Sequence, residues 1–107
     1  MKNLADIMKQ VSTMQARMED MQKKLEGQSV TGQSGGGLVK VVMNGKSSVQ
    51  SISIDPSLMK PDEREILEDL LVAALNDAKS KAEVLAAEEM KTLTGGLPLP
   101  PGMTLPF

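Results

Sequence analysis

The chain has 107 residues, and its 12 basic and 14 acidic side chains give a net charge of −2, so it is not a strongly basic nucleic-acid binder. It contains no cysteine and no histidine, which excludes disulfides and thiolate metal sites and removes the commonest general base. The single aromatic residue is Phe107, and nine methionines supply part of the apolar volume. A core this thin indicates one small domain that also buries apolar surface between chains. The longest apolar run, residues 70–75, is far shorter than the roughly 18 residues of a membrane span, so we expect a soluble cytoplasmic protein.

A long first helix is predicted from about residue 3 to residue 26. Its apolar residues are separated alternately by three and four positions over three heptads, which is the spacing of a helix-pairing seam. The seam consists of Leu4, Ile7, Val11, Met14, Met18, Met21 and Leu25. Two interpretations remain open: a helix that faces its own core, and a helix that pairs with another helix of the same chain or of a partner.

The glycine-rich stretch that follows predicts a wide hairpin loop. We expect a short strand at Val30 and Thr31 and a mobile connection from Gly32 to Gly37. The outer glycines have the spacing of a phosphate-binding loop, but Leu38 stands where that motif requires lysine, and a strand follows where it requires a helix. Nucleotide binding is therefore not predicted.

Two further strands are predicted, so that the strands together lie within about residues 28–54. Val39, Val41 and Met43 share one face, while the other face mixes apolar residues with Lys40. Asn44-Gly45 favours a type I′ hairpin turn, in which both central residues have positive φ. Asp55-Pro56 then ends the sheet.

A second long helix is predicted over about residues 62–91. Asp62 and Glu65 have the spacing of a capping box. The apolar stripe is wide over residues 66–75 and thins afterwards to alanines, so we expect the first half to lie in the core and the second half to project. The predicted fold class is α+β: a small three-stranded antiparallel sheet flanked by two long helices, in one domain over residues 1–94.

Residues 95–107 carry four of the six prolines and form a predicted extended C-terminal tail. It is either disordered or lays Leu97, Leu99, Met103 or Phe107 onto the protein's own body or a partner.

The sequence gives catalysis little support. The acidic residues cluster on the second helix, where such a run is typical of a solvated face, and none interrupts the apolar stripe as an inward metal ligand would. No serine has an evident base, although a serine–lysine pair stays open. We therefore predict no enzyme, no cofactor, no metal and no small-molecule substrate.

Four fragments, in this order and with these gaps, resemble the YbaB/EbfC family of nucleoid-associated DNA-binding proteins. They are GQSGGGLVKVVMNGK (32–46), ISIDPSLM (52–59), LEDLLVAALNDA (67–78) and GLPLPPGMTLPF (96–107). The resemblance implies a tweezer-like homodimer with projecting helices around a cleft. It also implies binding of double-stranded DNA with little sequence preference, a nucleoid location, and a role in nucleoid organisation or gene expression in bacteria.

The resemblance carries over no sharply defined contact residues, so we select candidates by charge and predicted exposure. Phosphate contacts are expected from helix-borne bases. The candidates are Lys2, Lys9, Arg17, Lys23 and Lys24 on the first helix and Lys79, Lys81 and Lys91 on the second. The alternative is a dimeric interaction or scaffold protein that binds a partner protein through its Met-rich helix and Pro-rich tail, which the net acidic charge favours.

Overall fold

The computed structural model describes residues 3–94, without the Thr94 side chain, and shows two long helices around one small sheet. The order is α1 (Leu4–Gly27), β1 (Ser29–Ser34), β2 (Val39–Asn44), β3 (Val49–Ile54) and α2 (Arg64–Thr94). The strands form an antiparallel sheet in the order β1-β2-β3. The predicted α+β fold with a three-stranded antiparallel sheet is confirmed. Lys2 and the tail of residues 95–107 lie outside the described residues.

The molecule is elongated because its helices are longer than its sheet. With 24 and 31 residues, α1 and α2 are about 36 and 46 Å long at about 1.5 Å per residue. The Cα radius of gyration is 19.2 Å, whereas a compact chain of this length has about 13 Å. The longest dimension is 70 Å.

The main core lies between one sheet face and α2. Val39, Val41 and Met43 alternate along β2 with exposed or half-buried residues, as the period-two pattern predicts. They pack with Leu58, which follows the sheet, and with small residues of α2, Ala74 and Ala78. Alanines at these positions let α2 lie close to the strands.

The predicted mobile connection from Gly32 is wrong, because β1 continues through Gly32 to Ser34. A side chain at Gly32 could not be accommodated there: its Cβ would overlap the main-chain atoms Ala78 N and Ala74 O. This glycine therefore permits close approach of strand and helix. The turn itself is confined to Gly35–Gly37, whose φ angles of 61°, 69° and 99° lie in the left-handed region that glycine tolerates.

The β2–β3 connection is a hairpin, but the predicted type I′ turn is wrong. In the described chain, Ser47 is the one non-glycine residue with positive φ, at 65°. Neither Asn44 nor Gly45 has a positive φ. The Asn44 Oδ1 atom accepts hydrogen bonds from Lys46 N and Ser48 N at 2.9 and 3.0 Å, which closes a longer loop. Gly45 instead gives room to α1: its N–H donates to Leu25 O at 2.8 Å, and a Cβ there would lie 2.7 Å from Leu25 Cδ2.

The second helix starts and packs differently from the prediction. A 3-10 turn, Pro61–Glu63, precedes it, and no side-chain cap bond is made there, so Asp62 does not complete a capping box. The alanine-rich half is not solvated on all sides, because Ala82, Ala86 and Met90 are buried. Ala86 and Met90 pack on Met21 and Leu25 of α1 in a second core cluster. The leucine-rich half of α2 is only partly buried, because Ala74 and Ala78, and not the leucines, make the closest contacts with the sheet.

Candidate nucleic-acid interface

The N-terminal half of α1 is an exposed arm. Every described residue from Asn3 to Arg17 is exposed, and burial begins at Met18. The helix nevertheless has a defined start, because the Asn3 side chain accepts a hydrogen bond from Asp6 N at 2.9 Å. We call residues 4–17 the α1 arm. A projecting helix of this kind can enter the neighbourhood of a large ligand without obstruction from the body.

The bases of α1 lie on the side of the helix opposite its apolar seam. At about 100° per residue, Lys9, Arg17, Lys23 and Lys24 fall within an arc of about 120°. The centre of this arc is about 150° away from the centre of the apolar seam. The four side chains are exposed. We call them the basic face; burying the seam leaves the basic face in solvent.

The basic face is only moderately positive. Asp6 and Asp20 fall within the same arc, so four bases stand against two acids. Lys24 is also engaged, because its Nζ lies 3.0 Å from Glu89 Oε1 of α2. Lys9, Arg17 and Lys23 have no ion pair with any residue of the 3–94 segment. These three bases are therefore the part of the predicted set most available to an external anion.

Lys81 and Asp77 hold α2 on the outer edge of β1. The Lys81 Nζ donates to Thr31 O at 2.8 Å and lies 3.1 Å from Asp77 Oδ2. The Gln33 N–H donates to the same Asp77 oxygen at 3.0 Å. That main-chain hydrogen bond, followed by the one from Lys81, holds the pKa of Asp77 below its ordinary value. Main-chain groups of an edge strand are thus satisfied by side chains of α2, which gives Lys81 a structural function.

The three lysines predicted on α2 do not share one face. Lys79 and Lys81 are two residues apart and therefore point about 160° away from each other around the helix. Lys79 lines a cavity of about 300 Å³ between the β2–β3 loop and α2, together with Lys46 and Glu83. Lys91 lies in the last turn of α2. Within one chain, the structure therefore brings together the bases of α1 but disperses those of α2.

The sequence indicates the Asp77–Lys81 ion pair but not the Lys24–Glu89 ion pair. Asp77 and Lys81 have the i,i+4 spacing of a helical ion pair, so this engagement of Lys81 was available from the sequence. Lys24 and Glu89 are distant in the chain, and no local pattern indicates that they meet. Lys40 and Lys60, which were not among the candidates, are exposed bases outside α1.

The described segment contains neither a metal site nor a membrane-spanning helix. No group of three or more acidic side chains in residues 3–94 is arranged to hold a metal ion. Neither described helix contains a stretch that is long and apolar enough to cross a membrane.

Comparison with known proteins identifies a family from the sequence and a similar fold among solved structures. Residues 1–97 match the model of the YbaB/EbfC DNA-binding family. A nucleoid-associated protein of Granulibacter bethesdensis is 58% identical over 107 residues, covering 100% of both chains. One of Rhodospirillum rubrum is 51% identical over 107 residues, again with 100% coverage of both. An uncharacterized protein from Helicobacter pylori has a similar crystal structure, with a TM-score of 0.71 and 25% identity over 89% of this chain and 96% of that one.

Proposed function

The chain belongs to the YbaB/EbfC DNA-binding family, and from this membership we propose that it binds double-stranded DNA through phosphate contacts made by the α1 arm. The family is nucleoid-associated and is not a class of enzymes. The observation that carries the proposal is the position of the basic face. Lys9 and Arg17 are exposed on a helix that projects from the body, on the side opposite the apolar seam. Lys23 extends the same face toward the sheet.

Phosphate contact follows from the chemistry of this face. Lysine and arginine on a solvated helix neutralise backbone phosphates, which every DNA sequence presents alike. The only aromatic residue of the chain is Phe107, so the α1 arm has no aromatic ring on which single-stranded bases could stack. Duplex DNA is therefore the ligand that fits this face best, and we expect the protein to bind it with little sequence preference. The two acids on the same face keep the affinity modest and strongly dependent on salt.

We further propose that the active form is a homodimer that pairs through the β3 side of the sheet. Val49 and Ile52 are register partners of Met43 and Val41 and so share the sheet face that packs on α2. They are nevertheless 46% and 48% exposed. The β1 edge carries hydrogen bonds from α2, whereas no side chain of residues 3–94 caps the outer edge of β3. A second copy can cover this apolar strip, and its α1 arm would add a second basic face.

In the cell, we propose a cytoplasmic protein associated with the nucleoid, where it influences nucleoid organisation or gene expression. Binding that depends on phosphates and little on sequence suits a protein that occupies many sites along a chromosome.

A salt titration tests the DNA proposal. Fluorescence anisotropy should show binding of two duplexes of equal length and different sequence with closely similar Kd values. A single strand of the same length should bind more weakly. Log affinity should fall linearly with log salt concentration, at about 0.9 per phosphate contacted. An absence of duplex binding at low salt would refute the proposal.

A further inference from the structure

The apolar side of the α1 arm has no cover among the described residues. Leu4, Ile7, Val11 and Met14 are 72%, 48%, 53% and 42% exposed. They continue the seam whose remaining members, from Met18 to Leu25, pack on α2. Half of one helical stripe is therefore buried and the other half is open, although the sequence pattern is the same in both.

The two helices run antiparallel, so α2 ends where the open half of the seam begins. The β2–β3 loop lies against Leu25 of α1 and lines a cavity with Ala82 and Ala86 of α2. Farther out, Arg17 and Met21 line another cavity together with Thr92 and Leu93. The α2 helix therefore ends beside residue 17, and its axis points along the uncovered residues of α1.

The chain beyond α2 has the length and the chemistry to cover that surface. Its 13 residues, 95–107, contain no charged side chain. An extended proline-rich segment advances about 3.1 Å per residue, so they reach about 40 Å. The uncovered seam from Leu4 to Met14 is only about 15 Å long at about 1.5 Å per residue. The apolar side chains available to it are Leu97, Leu99, Met103, Leu105 and Phe107.

We propose that the C-terminal segment of residues 95–107 lies along the apolar side of the α1 arm of the same chain, beginning with Leu97 and Leu99 near Met14 and Val11. A segment tethered beside its site acts at an effective concentration in the millimolar range, which favours it over a second copy at micromolar concentration. Proline restricts the free chain, so docking costs less conformational entropy. The arm is thereby stiffened while its basic face stays in solvent. This proposal does not depend on DNA binding.

Disulfide trapping tests the placement, because the natural chain has no cysteine. Full-length Val11→Cys/Leu99→Cys should form a disulfide about tenfold faster than the control pair Thr13→Cys/Leu99→Cys, since effective concentration sets the rate. Thr13 is exposed and lies two residues from Val11 on the opposite side of α1, so the tether reaches both sites equally well. In a mixture of ¹⁴N and ¹⁵N chains, mass spectrometry should find each link within one isotope. Equal rates for the two pairs, or links that join the two isotopes, would overturn the proposal.

Amide exchange supplies an independent measurement. Full-length Leu97→Asn/Leu99→Asn should speed exchange in residues 4–14 about threefold or more if docking stabilises the arm against local opening. Val72→Asn should leave exchange in that segment unchanged. Exchange of residues 4–14 that is the same in both variants as in the natural chain would refute the placement.

Discussion

Gly32 lets α2 lie directly on β1. The main-chain atoms Ala74 O and Ala78 N occupy the space where a side chain would begin. Main-chain atoms of a packed helix cannot rotate away as a flexible side chain can. One hydrogen atom in place of a methyl group thus decides whether the helix and the strand can meet.

Gly32→Ala should therefore lower the free energy of unfolding by about 2 kcal/mol or more, through overpacking against a rigid helix. The control is Gly27→Ala, at the end of α1, where a Cβ would meet nothing within 4 Å. That variant should be neutral or slightly more stable. Urea unfolding of all three proteins at one concentration measures the differences, and equal losses for both variants would contradict the packing explanation.

Local sequence patterns predicted which residues of β2 are buried, but not which positions require glycine. The buried positions Val39, Val41 and Met43 follow from strand alternation, which is a local property. The requirement for glycine at 32 and 45 does not, because it comes from helices that are far away in the sequence. Local sequence predicts a mobile connection at Gly32 and a turn at Gly45, whereas in the structure both glycines mark close approach to a helix.

At the scale of elements, α2 is attached to the sheet both by apolar packing and by an edge contact. Asp77 and Lys81 bond to the main chain of β1, and the Ser34 hydroxyl donates to Leu70 O at 2.6 Å. These contacts lie on one side of the sheet and leave β3 open. The length of each helix was predictable from its apolar period, and the seam of α1 indicated pairing with another helix. The sequence left open whether that helix belongs to the same chain or to a partner.

The Asp77 contact makes stability depend on pH in a defined direction. Its pKa is lowered in the folded protein, chiefly by the hydrogen bond from Gln33 N, so folding favours the ionised form. This contribution is fully present above the ordinary carboxyl pKa of about 3.9 and is lost as pH falls through the lowered value. The difference in unfolding free energy between the natural protein and Asp77→Ala should therefore be constant above about pH 5 and shrink below about pH 4. Unfolding curves at several pH values measure it, and a constant gap down to pH 3 would contradict the assignment.

In the molecule as a whole, the exposed apolar residues of the described chain include two strips of neighbouring side chains. We assign the seam of the α1 arm to the C-terminal segment and the β3 strip to a second copy. The sequence predicted extra burial between chains from the thin core, but it did not indicate where, because alternation along β3 is the same whether a helix or a partner covers it.

Ile52→Glu should separate the proposed dimer, since it places a charge in the middle of the apolar strip. Val72→Glu, at an apolar α2 residue that is 59% exposed, is the matched control and should leave the assembly intact. Sedimentation equilibrium should give twice the chain mass of 11.4 kDa for the natural protein and the control, and the single chain mass for Ile52→Glu. A natural protein that sediments as a monomer at micromolar concentration would contradict the homodimer.

Two double variants test whether the basic face of α1 binds DNA phosphates. Lys9→Gln/Arg17→Gln removes two bases from that face, and Lys40→Gln/Lys60→Gln removes two exposed bases outside α1. We predict that the first variant weakens duplex binding on the order of tenfold for every sequence and lowers the salt slope by about 1.8 for each α1 helix in contact with the DNA, whereas the second changes neither. Equal losses in both variants would show that net charge alone governs binding, and unchanged affinity in the first would place the interface elsewhere.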